Sequence, residues 1–141
     1  MFLTLVVALT VAGCGGDDNT TGPAPANVPY SATDLKVGTG AEATTGRPAT
    51  VNYTGWLYST TAADNKGTQF DSSLSPGRTP FTFTPGVSNV IAGWHQGVPG
   101  MKVGGVRRLV VPPSLGYGSQ GNPPIPGNAT LIFEIELLSV Q

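Results

Sequence analysis

Thr50-Val51-Asn52-Tyr53-Thr54-Gly55-Trp56-Leu57-Tyr58 is the stretch that decides the fold of this 141-residue chain. Val51, Tyr53 and Leu57 fall on one face, and Asn52, Thr54 and Tyr58 on the other. This period of two, carried by β-branched and aromatic residues, marks a half-buried strand. Trp56 lands on the polar face, so it must cover something there or stay partly exposed. Leu131 to Val140 repeats the pattern, with Phe133, Ile135 and Leu137 inward and Glu134 and Glu136 outward. Long strands with one wet face each belong to an antiparallel sheet.

Outward from these two, shorter apolar runs bounded by Gly, Pro, Asn or Ser read as further strands: Asp34 to Val37, Gln69 to Ser72, Phe81 to Thr84 and Val106 to Val111. One helix fits. Ser88 or Asn89 can cap it, Val90, Ile91, Trp94, Val98 and Met101 recur near helical spacing, and Pro99-Gly100 stops it. Gly93 and Gly97 each cost about 0.8 to 1 kcal/mol relative to Ala, so the helix persists only if packed on the sheet. The expected architecture is α+β, a curved antiparallel sheet of five to six strands wrapped as a half-barrel around one short helix.

Length and composition suit one domain with a modest extension. With 20 Gly and 13 Pro placed at turns, the chain is globular and loop-rich. A net charge of -1, with 11% charged residues and no basic run, excludes a nucleic-acid footprint or a polybasic membrane surface. The single His95 has no Cys, His or acid near it at ligand spacing, so neither a metal site nor a catalytic triad is expected, and the imidazole is expected to be exposed. No cofactor is implied. Gly38-Thr39-Gly40 is read as a turn rather than a phosphate cradle, because no helix opens after it.

The N-terminus reads as an address. Phe2 to Val11 has the length of a signal-peptide apolar region and is too short to span a bilayer. Val11-Ala12-Gly13-Cys14 follows and resembles the lipobox of bacterial lipoproteins, although no Lys or Arg precedes the apolar run. That resemblance implies a signal peptide over residues 1–13, acylation of Cys14, a flexible tether over 14–30 and a folded domain over 31–141. It also implies export to the bacterial cell envelope, with the lipid anchor as the only membrane contact. Two acyl chains, at roughly 0.8 kcal/mol per buried CH₂, anchor stably.

The remaining signal is a set of aromatic residues, Tyr53, Phe70, Phe81, Trp94, Tyr117 and Phe133, set one by one among the strand segments with Asp71 as the acid beside them. Residues dispersed in this way suggest an apolar pocket built from many elements, acting by shape and desolvation. Phe83 and Leu109 are assigned to the core alone. Tyr53, Trp94 and Tyr117 have polar tips that want partners, which suits a cleft.

Six motifs in order, Val51-Asn52-Tyr53-Thr54-Gly55-Trp56-Leu57, Phe70-Asp71-Ser72-Ser73, Val90-Ile91-Ala92-Gly93-Trp94, Gly100-Met101-Lys102-Val103-Gly104-Gly105, Leu115-Gly116-Tyr117-Gly118 and Asn128-Ala129-Thr130-Leu131-Ile132-Phe133-Glu134, resemble those of FKBP-type peptidyl-prolyl cis/trans isomerases over roughly residues 33 to 140. The resemblance implies binding of proline-containing peptides and of macrolides such as rapamycin and tacrolimus, by a monomer. It implies a pocket of Tyr53, Phe70, Asp71, Phe81, Val90, Ile91, Trp94, Tyr117 and Phe133, with Ile125 in the loop over its rim. Trp94 would form the floor, and the Ile91 N–H and Tyr117 hydroxyl would bond ligand carbonyls. Tyr53, Asp71, Trp94, Tyr117 and Phe133 would act on the reacting bond; Phe70, Phe81, Val90, Ile91 and Ile125 would bind substrate.

The chemistry agrees with this inventory. X–Pro rotation must break amide resonance against a barrier of about 18 to 20 kcal/mol and requires no proton or nucleophile. A twisted amide is less polar than a planar one, so it loses less on entering an apolar cleft. Asp71 is expected to accept a hydrogen bond from the Tyr53 hydroxyl and to tie the Ser72-Ser73 turn, rather than to act as a general base. The clients would be unfolded exported proteins. A non-catalytic module that docks proline peptides in the same pocket is the alternative. The connection from Ser59 to Thr68 is longer than in small family members, and the segments 74–79 and 122–127 also differ; all three flank the cleft.

Overall fold

The computed structural model describes residues 28–141, so the expected signal peptide over 1–13, Cys14 and most of the expected tether over 14–30 lie outside the described residues. Strands β1 (Ser31–Lys36), β2 (Ala49–Tyr58), β3 (Lys66–Ser72), β4 (Phe81–Phe83), β5 (Val106–Val111) and β6 (Leu131–Val140) form one antiparallel sheet, with one α-helix among the described residues, α1 (Ala92–Gly97), and two short 3-10 turns. The sheet order is β1-β5-β6-β2-β3, with β4 also paired to β2. The expected α+β half-barrel is the observed fold.

The two long strands lie side by side at the centre, paired from Ala49↔Val140 to Leu57↔Leu131. Their alternation falls as the sequence indicates: Val51, Phe133, Ile135 and Leu137 are buried, while Glu134 and Glu136 are not. Ile132 on the opposite face is fully buried as well. It sits between Trp56 of β2 and Val110 of β5. The polar face of the sheet is therefore not simply wet. Lys66 Nζ lies 4.6 Å from the Trp56 ring centroid and 2.5 Å from Glu134 Oε1, and Arg108 donates to the carbonyl of Asp64 in the long 59–65 connection. A cation over an indole attracts electrostatically while its stem covers apolar surface.

Three boundaries differ from expectation. β1 begins at Ser31 rather than Asp34, because its partner is the whole of β5, Ser31 pairing with Val110. β3 begins at Lys66 rather than Gln69, continuing the ladder to Tyr58. The helix is shorter at its start: Ile91 is its N-cap, without a side-chain cap bond. Ser88 closes a turn instead, its Oγ accepting the Thr84 N–H at 2.8 Å. Local hydrogen bonding by Ser competes with helix initiation, and here the turn wins. Tyr30, at the end of the expected tether, packs on the core, and its hydroxyl donates to the Gly93 carbonyl at 3.2 Å.

The two helix glycines have a packing reason. A Cβ on Gly93 would lie 2.7 Å from Val111, and one on Gly97 2.5 Å from both Leu109 and the Tyr30 hydroxyl. Bare backbone lets α1 lie directly on β5, and contact with the sheet offsets the poor helix propensity.

Candidate active site

β2 changes partner along its length, and the site lies where it does so. Its first residues, Ala49 to Val51, pair with β4, while Thr54 to Tyr58 pair with β3. Between the two pairings Tyr53 is held by Ser73, whose Oγ accepts the Tyr53 N–H at 2.9 Å and whose N–H donates to the Tyr53 carbonyl at 3.0 Å. The chain between β3 and β4 thus bows away from the sheet. A cavity of about 190 Å³ opens there, lined by Tyr53, Phe70, Asp71, Phe81, Asn89, Val90, Ile91, Trp94, Tyr117 and Phe133.

Trp94 lies at the base of this cavity, only 4% exposed. Its ring meets Tyr53, Phe81, Phe83 and Phe133 edge to face, at centroid distances of 5.1, 6.0, 5.3 and 5.4 Å. Such T-shaped pairs set positive ring edges against negative ring faces. The indole N–H has no hydrogen-bond acceptor among the described residues. Phe70 packs edge-on against Phe133 at 5.6 Å, in space that the missing side chain of Gly55 leaves open.

One wall is polar. The Tyr53 hydroxyl donates to Asp71 Oδ2 at 2.5 Å, while Asp71 Oδ1 accepts from the Ser72 N–H at 2.9 Å and from Arg78 Nη1 at 3.0 Å. Burial alone would raise the Asp71 carboxyl, but the bonds from Tyr53 and Arg78, the Arg78 charge and the Ser72 N–H together hold it below its ordinary value. Tyr53 moves the opposite way, pushed up to about 12 by burial and by the bond to the charged carboxylate. Burial also raises Tyr117, and a hydrogen bond with Asn122 partly opposes this. The acid is therefore a committed acceptor, poorly suited to taking a proton from substrate.

Nine of the ten pocket residues named from the sequence meet at this cavity. Ile125 does not line it: the side chain is 6% exposed and belongs to the core cluster, its backbone paired with Asn122. The resemblance implied a place for Ile125 in the loop over the rim; in the structure the Asn122–Ile125 bridge accompanies a residue packed into the core. Two participants were not singled out. Asn89 lines the cavity beside Val90, where the sequence suggested a helix cap, and Arg78 completes the Asp71 network from seven residues downstream. Only the rarity of cations in this chain hinted at Arg78.

The family model of FKBP-type peptidyl-prolyl cis-trans isomerases matches residues 40–138. An "FK506-binding protein" of Neisseria meningitidis serogroup A is 52% identical over 108 residues, which is 76% of this chain and 92% of the relative. "FK506-binding protein 2" of Dictyostelium discoideum is 40% identical over 142 residues, covering 100% of this chain and 98% of its own. Among solved structures, FkpA from Escherichia coli superposes with a TM-score of 0.66 at 38% identity, over 79% of this chain and 48% of that one. AtFKBP13 gives 0.67 at 36% identity, over 79% and 93%.

Proposed function

Since the chain belongs to the FKBP-type peptidyl-prolyl cis-trans isomerases and is an isomerase of X–Pro bonds, we propose that the cavity floored by Trp94 is where the bond rotates, in proline-containing segments of exported proteins. The observation that carries this reading is the cavity itself, with apolar aromatic walls on most sides and one fixed carboxylate edge. The prolyl ring enters over Trp94, between Tyr53, Phe81 and Phe133. Water is displaced from the amide there, and the twisted form, which has lost its charge-separated resonance, gives up less solvation than the planar one. A ten-thousandfold acceleration needs about 5.4 kcal/mol of such differential stabilisation.

Main-chain positioning falls to Ile91 and Tyr117. Ile91 is the N-cap of α1 and lines the cavity, so its N–H lies outside the helix ladder and is assigned to a substrate carbonyl. The Tyr117 hydroxyl, on the same cavity, is a second donor for a substrate carbonyl. Asp71, fixed by three donors, presents negative potential to the rotating carbonyl carbon and keeps Tyr53 in place. We assign rapamycin and tacrolimus to the same cavity as inhibitors and read the protein as a monomer. The Cys14 lipobox supports anchoring in the cell envelope.

The test is cis-to-trans relaxation of a Leu-Pro-Phe peptide with and without rapamycin, at a temperature where the spontaneous rate is slow. Acceleration abolished by the macrolide is the expected result. Macrolide binding without acceleration would leave only a docking module. For the anchor, Cys14→Ala is expected to move the protein from the membrane to the soluble fraction.

A further inference from the structure

His95 is the chain's one histidine, and its half-buried imidazole is tied to the wall of the cavity. Nδ1 accepts the Gly86 N–H at 2.8 Å. Gly86 has φ +81°, a left-handed conformation, and sits at the tip of a turn closed by the Val87 and Ser88 N–H groups on the Thr84 carbonyl. From that turn the chain runs straight into Asn89, Val90 and Ile91, all lining the cavity. A ring nitrogen that accepts a hydrogen bond carries no proton, so the bond requires the neutral imidazole with its proton on Nε2. An imidazolium has two donors and no acceptor.

We propose that His95 is a positioning residue that makes the cavity pH-responsive: as neutral imidazole it fastens the 84–89 turn and sets Asn89, Val90 and Ile91 for ligand, and on protonation it lets the turn go. The inference rests on the isomerase reading for its consequence, though not for its geometry. Histidine is the side chain whose ordinary titration falls between pH 5 and 8.

Among the described residues, no charged group on the surrounding segments is shown bonded to the His95 ring or to the Gly86 N–H. Residues 84–89 carry no charge. The 42–47 segment meets the turn through the Gly46 N–H on the Pro85 carbonyl at 2.9 Å, and it carries Glu42 and Arg47. Arg47 is bonded to the Gln141 carbonyl. On β5, Arg107 is spent on Asp34 and on the carbonyls of Gly97 and Pro99, and Arg108 is bonded to the Asp64 carbonyl. No ion pair involves His95 among the described residues. Among the described residues, the Gly86 N–H is the ring's one hydrogen-bond partner.

The experiment compares the full chain with H95Q and H95A from pH 8 to pH 5, following the imidazole and the Gly86 and Asn89 amides by ¹⁵N NMR and KM for the proline peptide. In the wild type the Gly86 and Asn89 amides should shift with the same midpoint as the imidazole. KM should rise about two- to tenfold on acidification, the scale of one neutral hydrogen bond. In H95Q, whose side-chain carbonyl accepts at every pH, the pH dependence should vanish; in H95A the raised KM should appear already at pH 8. A Gly86 amide that stays put while the imidazole titrates overturns the inference, and so does an H95Q that keeps the wild-type pH dependence. If the wild type accelerates nothing at pH 8, the isomerase reading fails, and the amide shifts still decide the role of His95.

Discussion

Asp71 shows how one side chain can be read correctly in kind and incompletely in context. The bond from Tyr53 and the tie to Ser72 were both expected, and both are present. The salt bridge to Arg78 was not, because a partner on a loop leaves no periodic trace. Asp71→Ala removes the acceptor of Tyr53 and Arg78 together. We expect kcat/KM to fall by about tenfold, the scale of one charge-assisted hydrogen bond. The melting temperature should fall only slightly, since the Asp71 side chain is 37% exposed and its ion pair is partly solvated. Peptide turnover and calorimetry on the same sample check both parts. Tyr117→Phe should keep the fold and weaken macrolide binding by about 0.5 to 1.5 kcal/mol. An unchanged Kd by titration calorimetry would remove the hydroxyl from ligand recognition.

At the scale of elements, the long strands were legible because alternation reports directly on which face is dry. The helix was legible in existence and poorly in extent. Its apolar positions extend beyond it at both ends, since Val90 and Ile91 serve the cavity and Met101 the core without being helical. Gly93 and Gly97 looked like defects when weighed by propensity alone. The approach of β5 reverses that judgement, and Gly97→Ala, which should favour an isolated helix, is expected to destabilise the protein by about 1 to 3 kcal/mol through overpacking against Leu109 and Tyr30. Urea unfolding of the variant measures it; a gain in stability would mean that the helix can shift off the sheet without loss.

For the whole molecule, the coupled groups set a pH envelope. Tyr53 is raised from 10.0 to about 12, so the folded state favours its protonated form. Its contribution is fully present below pH 10 and is lost as pH rises from 10 to 12. Asp71 and Asp34 are both held below the ordinary 3.8, so their contributions are present above about pH 4 and disappear as pH falls through the depressed values. Denaturant unfolding from pH 2 to 12 should therefore give a plateau that falls at both ends, and Tyr53→Phe should flatten the alkaline fall. The sequence by itself determined the strand faces and the α+β class, because periodicity and residue type are local properties, while the family and nearly all of the cavity lining came through the resemblance of its six motifs. Tertiary structure alone decided that Ile125 turns inward, that Arg78 and Asn89 join the site, and that the half-buried His95 holds a turn. Each of those depends on how a loop folds back on residues only three to nine positions away, which hydrogen bonds within the loop decide and no period in the sequence reports.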